Sequence, residues 1–389
     1  MPATGITQTG PAIAMRSCLQ RIATGPELSK DISFDEACAA MEYILQGKVD
    51  PVQAGVFLIA LRMKRETDDE NRGILQAILN ATETVVAPVD EVMDVADPYD
   101  GYTRGLPASP FIPPVLAACE VFTVSHGLES IGPKYGVTHR KILRAAGIDV
   151  DLSPNDAAAR IANPDIGWAY VDQKSFCPSL HDLVNLRTLI VKRPAVTTVE
   201  VIAGPIRGQK KTHLMTGYVH KAYPPMYAML ARHAGFDSAL IVRGVEGGVI
   251  PSLQQPAKVF YYHDDRGEVQ QMSVDPTSIG ISQSKRAVPI PADLLKAKKT
   301  GDTITTTLDT DAIAKAAAEA GIAALEGKGG PSYDSLVYAA AICLLHLKRH
   351  VSLQAAAHAV RKILDSGEAL ARFRMQQDEE RKTPPSKIR

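Results

Sequence analysis

Val92-Met93-Asp94-Val95-Ala96-Asp97-Pro98-Tyr99-Asp100-Gly101-Tyr102-Thr103-Arg104 is the stretch on which the fold turns. A short β-rich run ends in a segment too rich in Pro, Gly and Asp to continue it. The reading is a strand followed by a loop at its carboxyl end, where open α/β sheets place their sites. Val121-Phe122-Thr123-Val124 and Ser238-Ala239-Leu240-Ile241-Val242 are runs of the same kind. They alternate with helical stretches, and the alternation predicts an α/β sheet with crossover helices from residue 89 onward. Thr-Ile-Thr-Thr-Thr at 303–307 reads as a further strand or an extended lead-in. Residues 309–368 are Ala-rich and helical, interrupted by a turn at Gly327-Lys328-Gly329-Gly330-Pro331.

The chain before residue 89 is different. Ser33-Phe34-Asp35-Glu36 has the form of a capping box, in which hydroxyl and carboxylate satisfy free amides of the first turn. Phe34, Ala37, Met41 and Ile44 follow at helical spacing, and Gly47 stops the helix. Asp50-Pro51 starts a second helix, with Asp as the cap and Pro at the first helical position. Thr67 with Glu70 starts a third, with Ile74, Leu75 and Ile78 on one face. Residues 30–84 thus read as an all-helical unit for packing or dimerisation. The expected plan is an extension with one short helix at 1–27 and a helical domain at 28–88, joined by a later helical segment near 178–195. The α/β domain takes 89–177 and 196–374, and a polar tail that frays takes 375–389.

Composition bounds the function. The chain has 389 residues, 43 Lys+Arg against 43 Asp+Glu, 45% apolar and 22% charged residues. That is ordinary for a soluble globular protein with a sizeable core. Zero net charge excludes a uniformly basic surface built for nucleic acid or anionic membrane. The charge is uneven, however: Lys174 to Arg243 holds ten Lys/Arg and three acids, so +7 there faces −7 elsewhere. Such a run is commonly a solvated face; it also suits pyrophosphate or a polynucleotide. Cys18, Cys38, Cys119, Cys177 and Cys343 are scattered without a C-x-x-C, which reads as reduced thiols rather than a zinc site. No apolar run approaches the roughly 18 residues of a membrane span. The N-terminus lacks the form of a secretory signal, so the cytoplasm is expected, with no membrane partner.

No P-loop, G-x-G-x-x-G, H-E-x-x-H or G-x-S-x-G is present. The candidate chemistry sits after the strands. Arg104 is suited to hold a phosphate bidentately, and Ser109 to bond one or to help hold a metal. The plain alternative is a tight turn with a surface arginine. Ser125-His126-Gly127-Leu128-Glu129-Ser130 is followed by Gly132-Pro133-Lys134-Tyr135-Gly136-Val137-Thr138. Its glycines permit close backbone approach, and a helix starting near Thr138 would aim its N-terminus at the same place. Arg243-Gly244-Val245-Glu246-Gly247-Gly248 offers Glu246 for Mg²⁺ or a hydroxyl, against the alternative of a Gly-rich turn.

Taken together, these segments resemble the anthranilate phosphoribosyltransferase family, glycosyltransferases related to the pyrimidine nucleoside phosphorylases, from about residue 28 to 373. Ser125-His126-Gly127 stands at the family's Lys-His-Gly-Asn, and Gly204-Pro205 at its Gly-Pro-Leu. Asp275-Pro276 through Gly280-Ile281 is similar to its Asp-Pro-Glu-Asp-Phe-Gly-Leu stretch. Gly327–Pro331 and Leu364-Asp365-Ser366-Gly367 resemble its C-terminal signatures. The resemblance implies a small helical N-terminal domain, a larger α/β domain with a mostly parallel sheet, and a homodimer through the N-terminal helices. It also implies transfer of a phosphoribosyl group from phosphoribosyl pyrophosphate (PRPP) to a nitrogen acceptor.

The departures shape the expected site. The family's Gly-Thr-Gly-Gly-Asp reads Ala96-Asp97-Pro98-Tyr99-Asp100, so only Asp100-Gly101 matches its end. Its Lys and Asn are Ser125 and Leu128, and its Asp-Glu pair for Mg²⁺ is Val249-Ile250. The acceptor is therefore expected to differ from anthranilate, and Ser109 with Glu246 to be the substitute Mg²⁺ site. By the same resemblance His126 and Arg187 are the expected catalytic residues, His126 facing the acceptor and Arg187 a phosphate. Asp100, Gly101, Arg104, Ser130, Lys134, Gly136 and Thr138 are the expected substrate-binding positions. Tyr99-x-Gly101-x-x-Arg104 and Arg243-Gly244-x-Glu246-Gly247 look like a divergent paralogous branch, some of it linked to nucleic-acid binding. The alternative is thus an altered paralogue that binds nucleic acid through a groove formed by residues 174–243.

Overall fold

The computed structural model describes residues 10–25, 27–264, 267–294 and 307–382. Helices α1 (Gly10–Ile22), α2 (Phe34–Leu45), α3 (Pro51–Lys64) and α4 (Asp68–Ala81) open the chain. Both capping boxes form: Glu36 N–H donates to Ser33 Oγ at 3.2 Å, and Ser33 N–H to the Glu36 carboxylate at 2.9 Å. The Thr67–Glu70 pair repeats this at 3.2 and 2.8 Å. Asp50 caps α3 through Val52 N–H at 2.9 Å, with Pro51 in the first turn. α1 spans 13 residues, buries Met15, Cys18 and Ile22, and packs on α2 and α3. A later helix, Val184–Ile190, also lies against α3.

Two short strands, β1 (Val85–Val86) and β5 (Ile206–Arg207), pair in parallel beside the main sheet. The main sheet comprises β2 (Glu91–Ala96), β3 (Thr123–Gly127), β4 (Trp168–Asp172), β6 (Lys211–Gly217), β7 (Ser238–Val242), β8 (Ala257–Tyr262) and β9 (Gln270–Val274). Their order is β4-β3-β2-β6-β7-β8-β9; the first five are parallel, and β8 and β9 are antiparallel additions at one edge. β3 begins two residues after Val121, because Val121 N–H is held at 2.9 Å by Leu116 O in the turn leaving helix Ile112–Ala118. Of the strand expected at 303–307, residues 303–306 lie outside the described residues.

Alternation along each strand divides two cores. Met93 and Val95, Trp168 and Tyr170, Leu240 and Val242 face the Ala-rich helices Thr310–Leu325 and Pro331–His346, which the Gly327–Pro331 turn joins. Val92 and Ala96, Ala169 and Val171, Ala239 and Ile241 face the helical domain. A sheet covered on both faces needs apolar residues at successive positions, which these strands supply. C-terminal helix Glu368–Lys382 runs beyond Met375, where a fraying tail was expected, and seats Phe373 on Trp168 with ring centroids 5.8 Å apart.

The chain passes from β2 outward to β3 and β4, then returns to β6 on the other side of β2. Strand order therefore reverses between β2 and β6, opening a crevice at their carboxyl ends. Asp97, the first residue beyond β2, is buried and anchors the loops around that crevice. Its Oδ2 accepts from Tyr102 OH at 2.7 Å, Ser109 Oγ at 2.6 Å and His139 Nε2 at 2.8 Å; its Oδ1 accepts from Val249 N–H at 3.0 Å. Burial alone would raise the Asp97 pKa. The His139 charge and the bonds from His139, Ser109 and Tyr102 outweigh it and hold the carboxyl below its usual range.

A second buried carboxylate, Glu200, takes both terminal nitrogens of Arg187 at 2.7 and 2.6 Å and Gln173 Nε2 at 3.1 Å. This pair ties helix Val184–Ile190 to the 196–202 segment. Breaking such a pair from one side leaves a buried charge uncompensated. Glu200→Gln should lose about 3–5 kcal/mol of unfolding free energy, read as a lower midpoint in urea denaturation.

Asp97 sets a pH dependence. Its folded pKa lies below its unfolded one, so its stabilisation is complete above the usual carboxylate range and disappears as pH falls through that range to the folded value. Asp97→Asn should lose about 1–3 kcal/mol at neutral pH and show a shallower decline of stability with acid than the parent protein. An equally steep acid limb would show that Asp97 does not supply it.

Candidate active site

The loops that follow β2, β3, β6 and β7 converge on the crevice, where the helical domain closes it. The cleft has a volume of about 130 Å³ and is lined by Tyr99 and Asp100 after β2, Lys134 after β3, Tyr218 and His220 after β6, and Glu246 after β7. Arg62, Arg193, Thr197, Thr198, Tyr223 and Tyr227 complete it from the helical side. Asp100 is buried between two cations: Lys134 Nζ lies 3.1 Å from its Oδ1, and Arg193 grips its Oδ2. Lys134 also lies 3.4 Å from Glu246 O and 5.8 Å from the Tyr102 ring centroid. Arg62 donates to Tyr223 OH at 3.1 Å, and the Tyr223 and Tyr227 rings adjoin at 5.6 Å. Burial pushes the Tyr227 hydroxyl well up, so it remains a neutral wall of the cleft. The arrangement is a cationic floor against an aromatic wall, suited to an anionic group on one side and a planar ring on the other.

The expected residues divide. Asp100 and Lys134 line the cleft. His126 does not: Tyr99 OH meets its Nδ1 at 2.5 Å, and its Nε2 lies 2.8 Å from Asp94 Oδ1, at an angle outside hydrogen-bond geometry. His126 is buried behind Tyr99 and acts on the cleft only through that ring. Arg187 is paired with Glu200 inside the fold and does not line the cleft. Gly101 and Gly136 serve loop packing: Tyr102 and Val137 form a bridge, and a Cβ on Gly136 would fall 2.5 Å from Tyr102 backbone atoms. Gly101 holds φ +72° at the same contact. Thr138 caps helix His139–Ala145 and donates to Glu129 O at 3.2 Å. Ser130 is half-buried in the β3 loop outside the cleft lining, and exposed Arg104 lines a neighbouring cleft instead.

The substitute metal pair is not assembled. Ser109 is buried, with its hydroxyl against Asp97 and against His139 Nε2 at 2.9 Å. Glu246 takes Thr103 N–H at 3.0 Å, Thr103 Oγ1 at 3.1 Å and Arg104 N–H at 2.7 Å, so both oxygens clamp the β2 loop. Val249 is buried and its N–H is given to Asp97. Among the described residues no group of three His, Cys, Asp or Glu side chains could hold a metal ion. The residues present do not fit a protein-held Mg²⁺.

Five of the ten cations in residues 174–243 are engaged locally. Arg187 pairs with Glu200, Arg193 with Asp100, and Lys210 with Asp90. Arg207 stacks 4.2 Å from the Phe236 ring centroid and bonds Ala234 O; Arg232 lies 4.1 Å from that of Tyr262. Sequence reading missed Asp97, Arg193 and the Tyr223–Tyr227 wall. Asp97 looks like part of a turn, Arg193 like one member of a basic run, and the tyrosines belong to helix Tyr223–His233, far along the chain from the other lining residues.

Comparison with known proteins agrees with this architecture. The glycosyl transferase family's helical bundle domain matches residues 16–82 and its a/b domain residues 108–370. An anthranilate phosphoribosyltransferase of Rhodopseudomonas palustris is 26% identical over 361 residues, covering 93% of this chain and 96% of that one. The anthranilate phosphoribosyltransferase structure from Thermus thermophilus superposes with TM-score 0.69 at 18% identity, covering 95% of this chain and 99% of that one. The Saccharomyces cerevisiae enzyme in complex with PRPP and Mg superposes with TM-score 0.71 at 15% identity, again covering 95% and 99%. With both domains matched in order over most of its length, the chain belongs to the glycosyl transferase family of helical bundle and a/b domains, with anthranilate phosphoribosyltransferases among its relatives.

Proposed function

We propose that this chain transfers a phosphoribosyl group from PRPP to a nitrogen acceptor other than anthranilate. The observation that carries the reading is the cleft at the strand reversal, where Lys134 and Arg193 share the single carboxylate of Asp100. A phosphate group of the donor exchanges for Asp100 as partner of these cations. Pyrophosphate then leaves with the electrons of the C1–O bond as the acceptor nitrogen bonds C1, and the nitrogen gives up a proton. Cations fixed beside the departing charge stabilise that transition state. Asp100 is the cleft carboxylate not clamped to backbone amides, and it receives the proton. Tyr99, backed by His126, orients the ring-bearing side. Ser125 and Leu128, at the positions where the anthranilate enzymes carry Lys and Asn, are buried and offer the acceptor nothing. The chemistry runs on Lys134 and Arg193, because the residues that would hold Mg²⁺ are absent or engaged. Placement of the basic residues lends no support to a polynucleotide groove.

Titration calorimetry with PRPP in EDTA tests this. The parent protein should bind, and Lys134→Met should weaken binding about tenfold or more. A folded protein that gives no PRPP binding, with or without added Mg²⁺, refutes the assignment.

We further propose a cytoplasmic homodimer. All five cysteines are unpaired, and no described helix is long and apolar enough to cross a membrane. Val52, Val56 and Met63 are exposed along one face of α3, and Leu189 and Val191 are exposed on or just beyond the helix packed against it. An uncovered apolar stripe of this kind fits a second copy of the same surface. Light scattering should give twice the chain mass, and Met63→Glu should shift it toward the monomer; a monomeric parent protein overturns the dimer.

A further inference from the structure

A second, larger cleft of about 680 Å³ adjoins the first, and Tyr218, Val219 and Glu246 line both. Four cations line this second cleft: Arg104, Arg243, Lys285 and Arg286. Its one acidic neighbour, Glu246, spends both oxygens on Thr103 and Arg104 N–H groups and the Thr103 hydroxyl. Among the described residues none of the four cations has a salt-bridge partner, whereas Lys134 and Arg193 of the first cleft both do. Four like charges around one concavity repel each other, and an anion bound among them relieves that repulsion.

The cluster is also built rather than incidental. Glu246 pins the backbone of Arg104. Leu106 N–H donates to Val288 O at 2.9 Å, and Leu253 N–H donates to Arg286 O at 3.0 Å. The three loops that carry the cations are thus bonded to one another, so the backbone positions from which these exposed side chains reach the cavity are fixed.

We propose that this second cleft binds the phosphate end of a phosphorylated small molecule, the rest of which crosses Tyr218 and Val219 into the first cleft as the acceptor. The acceptor class is then a phosphorylated ring amine. The identification as acceptor rests on the transferase reading; the anion subsite itself does not. A small molecule is favoured over a polymer because these four cations converge on one cavity, which no basic residue of 174–242 lines, while those at 187, 193, 207, 210 and 232 are engaged elsewhere.

Inorganic tripolyphosphate is the probe. In calorimetry it should bind the parent protein, and the double variant Arg243→Gln with Lys285→Gln should weaken it about tenfold or more. Lys134→Met should change tripolyphosphate affinity less than about twofold, since that cation serves the other cleft. The double variant should likewise leave PRPP affinity within about twofold. No tripolyphosphate binding, or binding untouched by the double variant, overturns the subsite. Equal weakening by Lys134→Met places the anion in the first cleft and overturns it as well. Loss of PRPP affinity in the double variant assigns the second cleft to the donor's pyrophosphate and overturns the acceptor. A single-stranded oligonucleotide that outcompetes tripolyphosphate, with a salt dependence exceeding four ion pairs, overturns the small-molecule ligand. If PRPP fails to bind at all while tripolyphosphate behaves as expected, the transferase reading fails and the subsite stands.

Discussion

Asp97 is one buried carboxylate just beyond the end of β2, and the loops at the carboxyl ends of the parallel strands are organised around it. An ion so placed is tolerable only if its lost hydration is replaced, and four donors replace it. Those donors come from the β2 loop, from Ser109 in the 3-10 turn that leads into helix Ile112–Ala118, from helix His139–Ala145 and from the β7 loop. One charge therefore sets the relative positions of the loops that line the clefts. A Gly-rich loop here would leave backbone free to wrap a ligand; Ala96-Asp97-Pro98-Tyr99-Asp100 instead forms an internal hydrogen-bond centre in exchange for that freedom.

The exchange carries through to the chemistry. Ser109 is turned to Asp97, Val249 has no side-chain ligand atom and gives its N–H to Asp97, and both Glu246 oxygens close the loop that Asp97 begins. Positive charge supplied by the chain itself remains: Lys134 and Arg193 around Asp100, then Arg104, Arg243, Lys285 and Arg286 beyond Tyr218. Such side chains suit a phosphate group.

Local features were legible in the sequence, and long-range ones were not. The caps at Ser33, Asp50 and Thr67 involve partners within three residues, so spacing alone reveals them. β2 and β7 stand out because apolar β-formers run directly into Pro/Gly loops. β6, beginning Lys211-Thr212-His213, was hidden by the basic run that precedes its apolar centre. The converging loops were legible as segments, since each follows a strand. Individual roles were not, because burial decides them. Arg187 was assigned to a phosphate, and its partner Glu200 thirteen residues on could not be anticipated without the turn between them. Thr138 and Gly136 resemble ligand contacts in sequence because capping and close packing use the same residue types as phosphate binding.

The division of charge between the two clefts follows from where the carboxylates lie. In the first cleft Asp100 stands between Lys134 and Arg193, so one of their two charges is balanced and a ligand must displace an existing partner. In the second, the neighbouring acid is already spent on backbone amides, and the cations face only one another. Attraction for an incoming anion is accordingly strongest outside the cleft where bond making is proposed, and a phosphate is drawn first to the outer cations. A molecule with phosphate at one end and a ring at the other would then meet the aromatic wall of Tyr218, Tyr223 and Tyr227 with its ring, beside the cations proposed to take the donor. The zero net charge of the chain conceals this gradient, which arises because each acid near the clefts is committed to a different partner.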